Sequence, residues 1–188
     1  EKYGAGVLNF TFIDSRTYTF CYGDAVAKAA KLALEGASVS EIVSYLEDTL
    51  SRVMGDAGVY SLKYARKSGR ISGTAAFVGE MMGLKPILLV DDGKVNIVDK
   101  ARGEAAIFPK MIEVAKKHIA DAKNQDIKIF IGDIPDKDVE SLKSLLRHEF
   151  APRSISVGIL GPSLTTNAGP KVCGFTFMAE KHNSIEIK

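Results

Sequence analysis

The stretch Lys67-Ser68-Gly69-Arg70-Ile71-Ser72-Gly73-Thr74-Ala75-Ala76 brings cations, hydroxyls and glycines together just ahead of an Ala-rich run. Ser72 or Thr74 can cap a helix running from Gly73 to Met82, and Gly83 can stop it. The unpaired N–H groups and positive dipole end of such a helix suit a carboxylate or a phosphate. Arg70 can add a charge-assisted bidentate contact. The plainer reading is that Gly69 ends one helix, Ser72 caps the next and Arg70 is a surface residue; local spacing leaves both open. Beyond the loop, Phe77, Met81, Met82, Leu84 and Ile87 continue as an apolar tract, with Ile71 beside the cation. A polar mouth joined to an apolar wall is what an amphiphile such as a fatty acid requires.

Two further segments carry polar groups. Gly161-Pro162 through Gly169-Pro170 reads as a loop whose Thr166 and Asn167 can hold a head group or make local turns. Lys100-Ala101-Arg102-Gly103 sets two cations at the expected start of a helix, against its dipole, which suits an acidic partner. Conventional catalytic apparatus is absent from the sequence. There is no phosphate-binding Gly-x-x-x-x-Gly-Lys loop, no Gly-x-Ser-x-Gly elbow and no His-Glu-x-x-His pair. His118, His148 and His182 form no cluster with metal-ligand spacing, and His118 and His148 read as solvated helix-end residues. Cys21 and Cys173 read as small buried hydrophobes rather than a disulfide or metal pair, which fits a cytoplasmic location. The expectation is a binding protein, not an enzyme, with no metal and no cofactor.

The elements that must position these groups alternate between helix and strand. Val7–Ile13 reads as a strand and Asp24–Glu35 as a helix stopped by Gly36. Ser38 and Glu41 form a capping box ahead of an apolar stripe at Val39, Ile42, Val43, Leu46, Leu50 and Val53. Gly55-Asp56-Ala57-Gly58 reads as a linker, with a short strand at Val59–Leu62 after it. Pro86–Val90 and Lys94–Val98 flank Asp92-Gly93 as a hairpin. A long helix is expected over 103–122, a strand over 127–132, and a helix over 136–150 behind Pro135. Strands at 154–160 and 171–179 close the chain. The pattern predicts a mixed α/β (α+β) fold with a mixed sheet and flanking helices.

The chain has 188 residues, of which 46% are hydrophobic and 26% charged, a balance that excludes a disordered or collagen-like protein. No apolar run reaches the ~18 residues of a membrane span, and no signal peptide is visible. The net charge of +2 gives no reason to expect nucleic acid. Its halves differ: residues 1–57 carry −3 and residues 58–188 carry +5, which favours an acidic ligand or partner for the second part.

In order and spacing these segments resemble the DegV family of bacterial fatty-acid-binding proteins. The resemblance rests on Phe12-Ile13-Asp14-Ser15 before an Ala-rich helix, on Tyr64-Ala65-Arg66-Lys67-Ser68-Gly69-Arg70-Ile71-Ser72-Gly73-Thr74, and on Leu84-Lys85-Pro86-Ile87-Leu88 with the Asp-Gly hairpin. It continues through Lys100-Ala101-Arg102-Gly103 and Gly161-Pro162 to Gly174-Phe175-Thr176-Phe177. It implies two α/β lobes with a long-chain fatty acid between them, carried for a separate fatty acid kinase. On it, Arg70, Ser72, Thr166 and Asn167 are expected at the head group. Ile71, Phe77, Met81 and Ile87 are expected along the acyl chain, and Arg70, Lys100 and Arg102 toward the partner. The chain is then read as the remainder of an N-terminal α/β lobe (1–57) and a DegV-like C-terminal lobe (58–188), with a homodimer as a further expectation. Two departures stand out. The family's early Thr-Asp-Ser strand and Thr-Ser segment do not occur, and Asn167-Ala168 stands where His-Thr is usual, with Lys171 nearby. Asn can donate to a carboxylate but cannot become cationic. The alternative these departures leave is a protein-interaction or structural module that has lost lipid binding.

Overall fold

The computed structural model describes residues 9–61, 63, 64, 67 and 83–180. Helices α1 (Phe20–Leu34) and α2 (Val39–Leu50) pack on one another and lead into strand β1 (Val53–Val59). Strands β2 (Leu84–Asp91) and β3 (Lys94–Arg102) precede helix α3 (Ile107–Ala115). Strand β4 (Asp126–Ile131), helix α4 (Asp136–Phe150) and strand β5 (Ser154–Ile159) follow, then helix α5 (Pro162–Ala168) and strand β6 (Val172–Met178). The six strands form one sheet in the order β3-β2-β1-β6-β4-β5. Only β4 and β5, which α4 connects, pair in parallel, so the sheet is mixed as the hairpin requires.

Local chemistry explains several of these elements. Ser38 and Glu41 close the expected capping box: the Ser38 N–H donates to Glu41 Oε2 at 2.8 Å, and the Glu41 N–H donates to Ser38 Oγ at 3.3 Å. Asp92 and Gly93 take positive φ values of 47° and 75°, as the two-residue hairpin turn needs. Helix α4 has acids in its first turn and Arg147 and His148 in its last, matching its dipole.

Other elements depart from the sequence reading. The expected linker Gly55-Asp56-Ala57-Gly58 is the middle of β1, buried throughout between β2 and β6. The 57/58 boundary therefore falls inside a central strand. Its small residues answer to close packing: a Cβ on Gly55 would press on Cys21 Sγ, and one on Gly58 would strike Ile107 of α3. The long helix over 103–122 is instead a short turn at 104–106, then α3, ending at Ala115. Pro109 lacks the N–H that a helix begun at Gly103 would need there, but fits the first turn of one begun at Ile107. At the other end Ile119 bridges Ala179 and the Ala120 N–H donates to Met178 O, drawing the chain into sheet pairing. Residues 9–13 belong to no named strand.

The two faces of the sheet are filled differently. On one, α3 and α4 bury Met111, Ile112, Leu142 and Leu146 against Ile129, Phe175 and Phe177. On the other, α1 and α2 cover the start of β1 through Cys21, Ala25, Leu50 and Val53. The rest of that face is only partly roofed.

Candidate functional site

Strand alternation sets which residues face the open side. Along β1 the residues Ala57 and Val59 point there, whereas Met54 points to the α3–α4 core. Leu88 and Val90 of β2, Val95 of β3, Phe130 of β4 and Val172 of β6 complete an apolar floor. The roof is the start of α1 (Tyr18, Thr19, Cys21, Tyr22) on one side and α5 (Ser163, Leu164, Asn167, Ala168) on the other. Between them lies a cleft of about 570 Å³, within the ~300–1,000 Å³ range of small-molecule sites. Phe20 anchors α1 over β5: it fills the space above Gly158, and Lys128 Nζ lies 5.4 Å from its ring centroid.

At the α5 end the cleft meets a second hollow of about 180 Å³, with which it shares Ala168. Tyr60, Ser61, Tyr64, Glu104 and Lys171 line this hollow. Lys171 Nζ stands 5.9 Å from the Tyr60 ring centroid. Lys85 Nζ donates to Tyr60 O at 2.8 Å and lies 3.9 Å from Glu104. Burial pushes the Tyr60 hydroxyl up to about 12, so it is a neutral donor at physiological pH. An apolar cleft thus lies beside a small polar hollow lined by Lys171, the two sharing Ala168. Within the cleft the Cys21 thiol is pushed up to about 12 by burial and stays protonated, which makes it a wall atom rather than a nucleophile. Among the described residues no group of His, Cys, Asp and Glu could hold a metal ion.

The residues singled out from the sequence fall in different places. Asn167 lines the cleft, its Nδ2 donating to Ser163 O at 2.8 Å, which occupies one amide hydrogen. Thr166 is exposed, and its hydroxyl donates to Pro162 O at 2.7 Å. Both belong to α5, so the stretch expected as a loop is a short helix whose hydroxyls bond back to its own carbonyls. Ile87 does not line this cleft: it is fully buried on the opposite face among the α3–α4 core, and its neighbour Leu88 lines the cleft instead. Lys100 and Arg102 are exposed near the end of β3, not at a helix start, paired across from Pro86 and Leu84. A β-bulge between Ile87 and Leu88 shifts the register there, and alternation puts both cations on the face shared with Leu88 and Val90. Arg70, Ile71, Ser72, Phe77 and Met81 lie outside the described residues. Tyr18, Tyr22, Val90, Val95 and Leu164 were not anticipated. The alternation of β2 and β3 about the hairpin could have pointed to Val90 and Val95, but nothing local marks Tyr18.

The chain is thus a mixed α/β protein with an open apolar cleft on one face of its sheet and a small polar hollow beside it. Residues 4–180 match the model of the DegV family, described as uncharacterised proteins, and the chain belongs to that family. A DegV domain-containing protein of Caldanaerobacter subterraneus subsp. tengcongensis is 33% identical over 165 residues, covering 88% of this chain and 59% of that protein. The crystal structure of a DegV family protein from Corynebacterium glutamicum is similar with a TM-score of 0.78 at 28% identity, covering 90% of this chain and 65% of its own. That of a fatty-acid-binding DegV family protein from Streptococcus agalactiae superposes with a TM-score of 0.77 at 23% identity, covering 90% of this chain and 59% of its own. The chain thus spans about three-fifths of the length of these relatives.

Proposed function

We propose that this protein binds a long-chain fatty acid, with the acyl chain on the apolar floor of the cleft and the carboxylate at the α5 end. The observation that carries this reading is the 570 Å³ apolar cleft, with the polar hollow at Tyr60 and Lys171 beside its α5 end. Fatty-acid binding by the streptococcal relative supports it. Each buried methylene contributes ~0.8 kcal/mol, so chain burial supplies most of the affinity. Asn167 and Lys171 hold the head group in this reading, with Arg70 and Ser72 completing it. Asn167 has no titratable proton, so binding is expected to be level through the pH range where a histidine would change charge. The bound acid is presented to a partner, a fatty acid kinase, by Lys100 and Arg102, which lie on the cleft-facing side of the sheet edge, and by Arg70. We place this activity in the cytoplasm, where Cys21 and Cys173 stay reduced. The continuity of β1 across residue 57 favours drawing the boundary between the two lobes ahead of α1 rather than at 57/58.

The test is native mass spectrometry of the protein purified from cells, followed by fatty-acid uptake after delipidation. Ala57→Phe, which puts a ring on the cleft floor, should abolish the adduct while the variant stays folded by circular dichroism. A wild-type chain that neither carries nor takes up a fatty acid would refute the reading. A second reading, an interaction module, is favoured by the exposed Phe10 and Phe12, stacked with centroids 6.4 Å apart, and by Ile159, 79% exposed on the edge strand β5. It predicts a ligand-free homodimer in light scattering.

A further inference from the structure

At the end of the cleft away from α5, a segment before α1 is clasped to the β2–β3 hairpin. Arg16 O accepts the Gly93 N–H at 2.6 Å, and Arg16 Nε lies 2.9 Å from Asp92 Oδ1. Tyr18 Oη donates to Gly93 O at 2.9 Å. Tyr18 and Thr19 line the cleft beside Val90 and Val95, the residues next to the hairpin tip. Asn167 sits at the other end, where α5 leads into β6 beside Val59. Five non-glycine residues have positive φ among those described, and Arg16, Thr19 and Asp92 are three of them. Such a backbone persists only where surrounding contacts hold it. For β-branched Thr19 it is a marked outlier. Asp92 takes its value from the hairpin turn, whereas Arg16 and Thr19 take theirs in the clasped segment, and Thr19 lines the cleft.

We propose that the segment Asp14–Thr19 is the end wall that sets the length of acyl chain the cleft accepts, with the Tyr18 ring as the stop. The proposal rests on the fatty-acid reading above. From the level of Gly55 and Val90 to that of Val59 and Val172 is four residues of β1, about 13 Å at the rise of a strand. An acid whose carboxylate is held near Asn167 meets Tyr18 at the far end of that span, a long-chain one after bending within the cleft. A longer chain must bend or displace the clasp.

The test uses the delipidated chain and a ladder of saturated fatty acids rising by two carbons. Wild type should show an optimum length. Tyr18→Ala should move the optimum to longer acids, with affinity rising about fourfold for each methylene newly accommodated, while shorter acids bind as before. Tyr18→Phe keeps the ring and should keep the wild-type profile. Tyr18→Leu retains an apolar filler and serves if the alanine variant does not fold. A folded Tyr18→Ala or Tyr18→Leu variant with the wild-type length profile overturns the end-wall proposal alone. Wild-type protein that binds no acid of any length overturns the fatty-acid reading and this proposal with it.

Discussion

Asp56 gives the sharpest test of how the sheet is held together. It lies at the centre of β1, paired across from Leu89 and Phe175, and is fully buried. By strand alternation it faces the α3–α4 core with Met54 and Gly58. Among the described residues neither carboxyl oxygen has a partner within hydrogen-bond geometry, the adjacent Ala57 amide lying near but outside it. Burial pushes the carboxyl well above its ordinary value of 3.8, offset in small part by the adjacent Ala57 amide. Burial therefore favours the neutral acid, and two polar atoms without a partner in an apolar core cost about 1–3 kcal/mol. Replacing Asp56 by Val, of similar size and suited to a strand, should raise the unfolding free energy by that amount. For a chain of this length each kcal/mol raises Tm by roughly 2–4 °C. The unfolded chain releases this proton near 3.8, whereas the folded chain retains it to higher pH. Below 3.8 both states hold the proton and its contribution to stability is full. Above it the unfolded state binds fewer protons, so stability falls by up to about 1.4 kcal/mol per pH unit until the folded-state value is passed. Urea unfolding from pH 5 to 9 measures both effects. Asp56→Asn should remove this dependence on pH but keep the burial cost, and Asp56→Val should remove both. A valine variant less stable than wild type, beside a wild-type stability that does not fall with pH, would refute the reasoning, because it would mean the carboxyl has a partner.

Three further outcomes follow from particular contacts. Gln125 clamps the end of β6: its Oε1 accepts the Met178 N–H at 2.7 Å and its Nε2 donates to Met178 O at 2.9 Å. Gln125→Ala leaves the Met178 N–H without this partner, while Met178 O keeps the Ala120 N–H, and should cost about 1–3 kcal/mol in chemical denaturation. Gly174 of β6 lies under the Phe130 ring and against Asp56 O, with no room for a Cβ. Gly174→Ala should destabilise the fold by about 1–3 kcal/mol and, by lifting Phe130 into the cleft, weaken fatty-acid uptake measured on the folded variant. Asp126 is held down at about 2 by its hydrogen bonds to Arg153 and to Ser154 Oγ (2.6 Å). A depressed acid contributes stability above its unfolded value, lost as pH falls toward 2. Its NMR titration midpoint should return toward 3.8 in Arg153→Ala, with little change in stability because the pair is exposed.

What was legible in the sequence was whatever short-range chemistry decides. The Ser38–Glu41 box, the Asp92-Gly93 turn and the charge-patterned α4 each depend on residues within a few positions of one another. Elements decided by distant contacts were not legible. Gly55-Asp56-Ala57-Gly58 has turn-forming composition yet is a central strand, because Cys21 and Ile107 approach too closely for larger side chains. The long helix gives way because Ile119 and Ala120 pair with the end of β6, some sixty residues away. Ile87 and Leu88 are equally apolar, and only strand pairing and the bulge beside them decide which one faces the cleft. Tyr18 owes its place to the hairpin tip seventy-five positions later.

The cleft has a simple physical origin in the unequal faces of two neighbouring strands. Along β6, Cys173, Phe175 and Phe177 fill the α3–α4 side, whereas Val172, Gly174 and Thr176 face the other way. Along β1 the same outward side carries Val53, Gly55, Ala57 and Val59. Where two central strands present small residues, a roof must drop close to the backbone or leave a space. Cys21 does drop, close over Gly55; α5 is only seven residues long and covers the other end. The space between them is the cleft. Its depth therefore depends on Gly55, Ala57 and Gly174 more than on any polar residue at its mouth, so enlarging one of these should affect ligand uptake more than replacing Asn167.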